Sequence, residues 1–112
     1  QLADCINWAK AELRKIPIPG PLFGHVGDGN FHVVFVIEPG NEKELDLVKD
    51  FSRRLALQAL DHEGTVTGEH GIGLGKLEEL RYECGPALSV MQAIKRALDP
   101  QNILNPGKVL RD

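Results

Sequence analysis

Two glycine-rich motifs hold the side chains best suited to chemistry. In Gly24-His25-Val26-Gly27-Asp28-Gly29-Asn30-Phe31-His32, two imidazoles flank an Asp-Gly pair. In Thr67-Gly68-Glu69-His70-Gly71, a carboxylate is followed by a third imidazole. Asp-Gly between two β-prone runs signals a two-residue hairpin turn. With Asp28 and Gly29 at the tip, Gly27 faces Asn30, Val26 faces Phe31, and His25 faces His32. Directly opposed side chains have Cβ atoms about 5 Å apart, so the two imidazoles can share one metal ion. Neutral imidazole suits zinc, manganese, iron or cobalt. Spacing alone also allows two ordinary polar histidines. Glu69 is the best carboxylate for a third ligand, and a set of two histidines and one glutamate leaves an open position, as catalytic metal sites do.

His70 is then free to act as a general base, because an unperturbed imidazole titrates near working pH. Neighbouring residues in an extended segment point in opposite directions, so Glu69 and His70 share a site only if the loop twists between them. Gly68, Gly71, Gly73 and Gly75 permit such a path. The bland alternative is an ordinary polar loop. Asp28 reads as a turn former, and Asn30 as a support for the hairpin or a ligand contact. His62 suits the C-terminal end of a helix, where a partly charged imidazole is favourable. Lys76 after the glycine loop does not make a P-loop. Trp8 and Tyr82 read as packing residues.

The elements that must position these groups follow from periodicity. Leu2, Ile6, Ala9 and Leu13 mark a helix over about 1–15, which the proline-rich run 16–21 ends. Leu22–Val26 and Phe31–Ile37 read as strands, the second apolar enough to be covered on both faces. Asn41 with Glu44 forms a capping box, and Leu45, Val48, Phe51, Leu55 and Ala59 form the apolar stripe of a long helix that Gly64 terminates. Thr65-Val66-Thr67 is a short strand candidate. A short helix over about Lys76–Tyr82 follows. Pro86 opens a last helix with Ala87, Met91, Ile94 and Leu98 on its apolar face, and Asp99-Pro100 stops it. The expected fold is α+β, a small antiparallel sheet covered by helices.

A chain of 112 residues, 42% hydrophobic and 26% charged, fits one globular domain. A net charge of −3 and a pI near 5.8 give no electrostatic basis for nucleic-acid binding. No apolar run is long enough to span a membrane. Cys5 and Cys84 lack metal-ligand spacing and read as two thiols in a reducing compartment.

Three motifs in order carry a resemblance. These are the segment Gly24–His32, the segment Gly64-Thr65-Val66-Thr67-Gly68-Glu69-His70-Gly71-Ile72-Gly73, and the segment Leu98-Asp99-Pro100-Gln101-Asn102-Ile103-Leu104-Asn105-Pro106-Gly107-Lys108. From about residue 10 to 110 the chain resembles the C-terminal part of FAD-linked oxidases in the vanillyl-alcohol-oxidase superfamily, the group of D-lactate dehydrogenase, D-2-hydroxyglutarate dehydrogenase and the glycolate oxidase FAD subunit. The resemblance implies FAD and a divalent metal, zinc or manganese, as cofactors. It implies His25, His32 and Glu69 as metal ligands, His70 as the base beside the substrate hydroxyl, and Asn105 near the flavin. The D-2-hydroxyglutarate type carries an asparagine two positions after the second metal histidine. Here that position is Val34, which points to lactate or another small or apolar D-2-hydroxy acid.

The family's FAD-binding domain is N-terminal and absent from residues 1–112. The expected partner is therefore that domain, in the same or a partner chain, and the chain reads as a piece of a longer, cytoplasmic (bacterial) or mitochondrial enzyme that is inactive alone. Self-association is left open. The rival readings are a non-catalytic metal-binding module and a structural subunit of a multi-subunit flavin oxidase.

Overall fold

The computed structural model describes residues 1–111. They form two compact units, one over Gln1–Glu69 and one from His70 onward. Among the described residues, four α-helices and one two-stranded antiparallel sheet make a small α+β fold: α1 (Leu2–Leu13), β1 (Leu22–Phe23), β2 (His32–Val33), α2 (Glu42–Asp61), α3 (Leu77–Cys84) and α4 (Ala87–Leu98). No helix among the described residues is long and apolar enough to cross a membrane.

The first unit is built around Phe51 on α2, which is 1% exposed. Trp8 of α1 stacks on it at 6.3 Å between ring centroids, and Phe35 meets it edge-on at 5.3 Å. Arg54 lies 5.9 Å from the centre of the Trp8 ring and donates from Nη1 to Glu12 Oε2 at 2.5 Å, which ties α2 to α1 by charge as well as by apolar burial. The α2 N-terminus is capped as its sequence predicts: the Asn41 side chain accepts from the Glu44 N–H at 3.2 Å. The Glu44 carboxylate, however, reaches past Asn41 to the Glu38 N–H at 2.8 Å.

The α2 C-terminus closes one residue earlier than the glycine suggests. Glu63 takes the left-handed conformation at φ 60. Its N–H donates to Leu60 O at 2.9 Å, and Gly64 N–H donates to Ala59 O at 2.8 Å, the paired bonds of a Schellman motif. Gly64 is required by space, since a Cβ there would lie 2.9 Å from Ala59 O.

The strands are shorter than expected, for a reason visible in the sequence. Leu22 pairs with Val33 and Phe23 with His32. Beyond them, Val34 N–H still donates to Pro21 O at 3.2 Å and Val36 N–H to Pro19 O at 3.1 Å. The prolines have no N–H to return, so the ladder beyond Leu22 is one-sided. Nor is the 31–37 run covered on both faces: Val34 and Val36 are 48% and 65% exposed, while Phe35 packs inward. Residues 65–67 form no strand.

In the second unit Leu77 and Leu80 of α3 are buried. Asp99, buried just past α4, accepts from Ile103 N–H at 3.0 Å and Leu104 N–H at 2.9 Å and pairs with Lys95. The apolar stripe of α4 is not core: Met91, Ile94 and Leu98 are all exposed within this chain, Leu98 by 78%. Tyr82 is likewise exposed rather than packed.

Candidate metal centre

The two histidines of the first motif are not opposed across a two-residue turn. His32 sits opposite Phe23, and the whole segment 24–31 is loop. Inside it, Val26–Asp28 make one 3₁₀ turn that Gly29 closes at φ 75, ψ 20. Gly24 and Gly27 deprive the would-be first strand of side chains, which weakens any ladder there. Gly24 is instead where the loop's two limbs nearly touch, since a Cβ on it would lie 2.4 Å from Phe31 Cα. The His25 carbonyl accepts from both Asp28 N–H at 2.9 Å and Asn30 N–H at 3.2 Å. The folded loop thereby returns the His25 ring to within 6.2 Å of the His32 ring, at 86°.

Glu69 meets both. Its Oε1 lies 2.8 Å from His32 Nε2 and 3.9 Å from His25 Nε2. One ligand atom from each of His25, His32 and Glu69 falls within 4.8 Å of the others. Donors about 2.1 Å from a tetrahedral zinc ion stand roughly 3.4 Å apart, so the observed 2.8 and 3.9 Å bracket what one ion requires. Two imidazoles and a carboxylate are also the donor types that first-row divalent ions accept. The residues present therefore fit such an ion. His32 is the inner member at 13% side-chain exposure, against 45% for Glu69 and 65% for His25.

The segment that delivers Glu69 is anchored by Val66, which is 3% exposed. The Thr65 hydroxyl donates to the Thr67 carbonyl at 2.7 Å. Gly68 passes against the Asn30 side chain so closely that a Cβ at 68 would lie 2.3 Å from Asn30 Oδ1. Spacing does not reveal this contact; its only trace in the sequence is a glycine directly before the carboxylate.

His70 is exposed and opens the second unit. Beyond it Gly71 and Gly73 adopt φ 77 and 53, values that other residues rarely take. Lys76, partly buried ahead of α3, has its ammonium pKa lowered by desolvation, with Glu79 opposing. Asn105, at φ 49, lies exposed in the C-terminal tail, where its carbonyl accepts from Lys108 N–H at 3.2 Å. A separate concavity of about 330 Å³ is lined by Gln92, Lys95, Asn102, Gly107, Leu110 and Arg111. None of the residues singled out as ligands, base or flavin contact lines it.

Comparison with known proteins agrees with the motifs. Residues 1–109 match the family described as FAD linked oxidases, C-terminal domain. The chain is 52% identical over 111 residues to a probable mitochondrial D-lactate dehydrogenase of Danio rerio, covering 98% of this chain and 22% of that protein. It is 39% identical over 110 residues to the mitochondrial D-lactate dehydrogenase [cytochrome] of Arabidopsis thaliana, covering 97% and 19%. It is 40% identical over 110 residues to glycolate oxidase subunit GlcD of Bacillus subtilis, covering 97% and 23%. The chain thus spans about a fifth of the length of these relatives.

Proposed function

Since the chain belongs to the FAD linked oxidases, C-terminal domain family, we propose that it is the metal- and substrate-binding C-terminal part of an FAD-dependent dehydrogenase. The reaction is oxidation of a small D-2-hydroxy acid, lactate- or glycolate-like, to the 2-oxo acid. The FAD-binding domain lies in the remainder of a longer polypeptide or in a partner chain, in a bacterial cytoplasm or in mitochondria. The exposed apolar stripe of α4 supports such a partner, because exposed apolar faces mark interaction surfaces.

In this reading His25, His32 and Glu69 hold a divalent ion, zinc or manganese. Bound, the ion supplies Lewis acidity toward the substrate's carboxylate and C2 hydroxyl, and FAD supplies the two-electron acceptor. The chain's own residues do the positioning. His32, packed at the base of the cluster, fixes the direction from which the substrate is held. His70 takes the proton of the C2 hydroxyl. Val34, two residues beyond His32 and exposed, offers a methyl surface where a second substrate carboxylate would need a polar partner. Asn105 contributes at the edge of the flavin.

The observation that carries the reading is the convergence of His25 and His32 on one oxygen of Glu69. The test is made on the full-length protein. Stoichiometric metal and D-lactate-driven bleaching of the flavin are expected, both lost in a His25→Ala, His32→Ala double variant. Unchanged metal content in that variant refutes the ligand assignment. Turnover of D-lactate by the 112-residue chain alone refutes the need for a second domain.

A further inference from the structure

The three candidate ligands come from two separate stretches, and one residue touches both. Asn30 N–H donates to the His25 carbonyl at 3.2 Å, which ties Asn30 to the first imidazole's backbone. Its side-chain amide lies flat against Gly68. A Cβ at 68 would fall 2.3 Å from Oδ1, 2.5 Å from Cγ and 2.9 Å from Nδ2. Gly68 is peptide-bonded to Glu69, and its own φ needs no glycine, so the requirement at 68 is one of space.

We infer that Asn30 is a positioning residue: its amide, seated on Gly68, sets the distance between the His25–His32 loop and the Glu69 carboxylate. The inference rests on the proposed metal site and adds the means by which that site is held in shape before an ion arrives. Gly68 lies at the surface, yet a methyl group there would overlap the Asn30 amide, so one of the two must move. Here the displaced groups are the Asn30 amide on one side and the Glu69 backbone on the other. The backbone is held on each side. The Gly24–Phe31 loop is pinned by two hydrogen bonds to His25 O, and the 65–69 segment by buried Val66.

The test measures metal affinity by calorimetry on chelator-treated full-length protein with zinc or manganese, independently of turnover. Gly68→Ala should weaken binding by about 10- to 100-fold, as supporting residues around metal ligands do. Asn30→Ala, which removes the atoms a Cβ at 68 would strike, should weaken it less. The double variant should bind like Asn30→Ala alone, a rescue that a general loss of stability would not give. Phe51→Leu, which damages the core away from the ligands, should lower the melting temperature and leave the affinity unchanged. Alongside, ¹⁵N resonances of the His32 ring in the metal-free protein should shift in Gly68→Ala as Glu69 moves away. If wild type binds no ion, the metal reading fails, and the ¹⁵N shift alone decides the positioning role. If wild type binds and Gly68→Ala binds equally well, or the double variant shows no rescue, the inference is overturned and the metal reading stands.

Discussion

His32 Nε2 stands 2.8 Å from Glu69 Oε1, and of these two side chains the imidazole is the more buried, at 13% exposure against 45%. The inner position of His32 separates it from His25, whose side chain is 65% exposed and 3.9 Å from the same oxygen. His32→Ala should both strip the metal and modestly lower the unfolding temperature, because it removes a side chain only 13% exposed whose ring lies 5.7 Å from that of Phe23. His25→Ala should weaken metal binding with little thermal effect. Elemental analysis and calorimetric melting of the two single variants decide this. Equal thermal losses would mean that His25 carries packing the structure does not give it.

Glu69 and His70 are neighbours to which different duties are assigned. In the full-length enzyme, His70→Ala should lower kcat by about 10²–10⁴ with metal content intact. Glu69→Ala should instead release the metal and raise KM with it. The two measurements, turnover and metal content, are made on the same preparations. Loss of metal from the His70 variant alone would reverse the assignment.

The sequence foretells the members of the cluster better than the path that joins them. Asp28-Gly29 suggests a two-residue turn, yet Gly24 and Gly27 precede it, and glycines weaken a ladder because they bring no side chains to pair across it. The chain instead winds Val26–Asp28 into a 3₁₀ turn, and His25 and His32 meet without facing each other across strands. The helices are legible because their signals are local: Asn41 and Glu44 at the start of α2, Pro86 before α4, Asp99 after it. The one-sided ladder of 34–36 follows from Pro19 and Pro21 on the facing segment, so it becomes legible only once the pairing is known. What no local pattern states is which faces are covered. The α4 stripe has ideal helical spacing and still lies open in this chain, because burial depends on a partner surface that periodicity does not encode.

Asp99 gives the second unit an acid-sensitive joint. The ion-paired hydrogen bond from Lys95 is the main cause that holds its carboxyl below the usual range, with the Leu104 and Ile103 N–H groups adding to it. A group whose pKa is depressed by folding contributes stability that is fully present above its unfolded value, about 3.9, and is lost as pH falls through the folded value. Urea unfolding of wild type and Asp99→Asn should therefore differ most at pH 5–7 and converge as the pH drops below about 4. A gap that stays constant across this range would mean that the Asp99 charge contributes nothing and only its shape matters.

Thr67 holds the clearest local defect. Its Oγ1 is buried and has no hydrogen-bond partner among the described residues. A buried hydroxyl left unpaired costs about 1–3 kcal/mol. The neighbouring contact does not depend on it, since Thr65 Oγ1 donates to the Thr67 backbone carbonyl, which any residue at 67 would supply. Thr67→Val keeps the branched shape and removes the unpaired oxygen, so it should stabilise the protein by about 1 kcal/mol. Metal affinity should be unchanged, because Val66 and Gly68, which fix the path to Glu69, are untouched. Chemical unfolding read together with metal titration checks both halves. A destabilised Thr67→Val variant would show that the hydroxyl finds a partner in solution, and a variant of normal stability with altered metal affinity would place that partner at the ligand cluster.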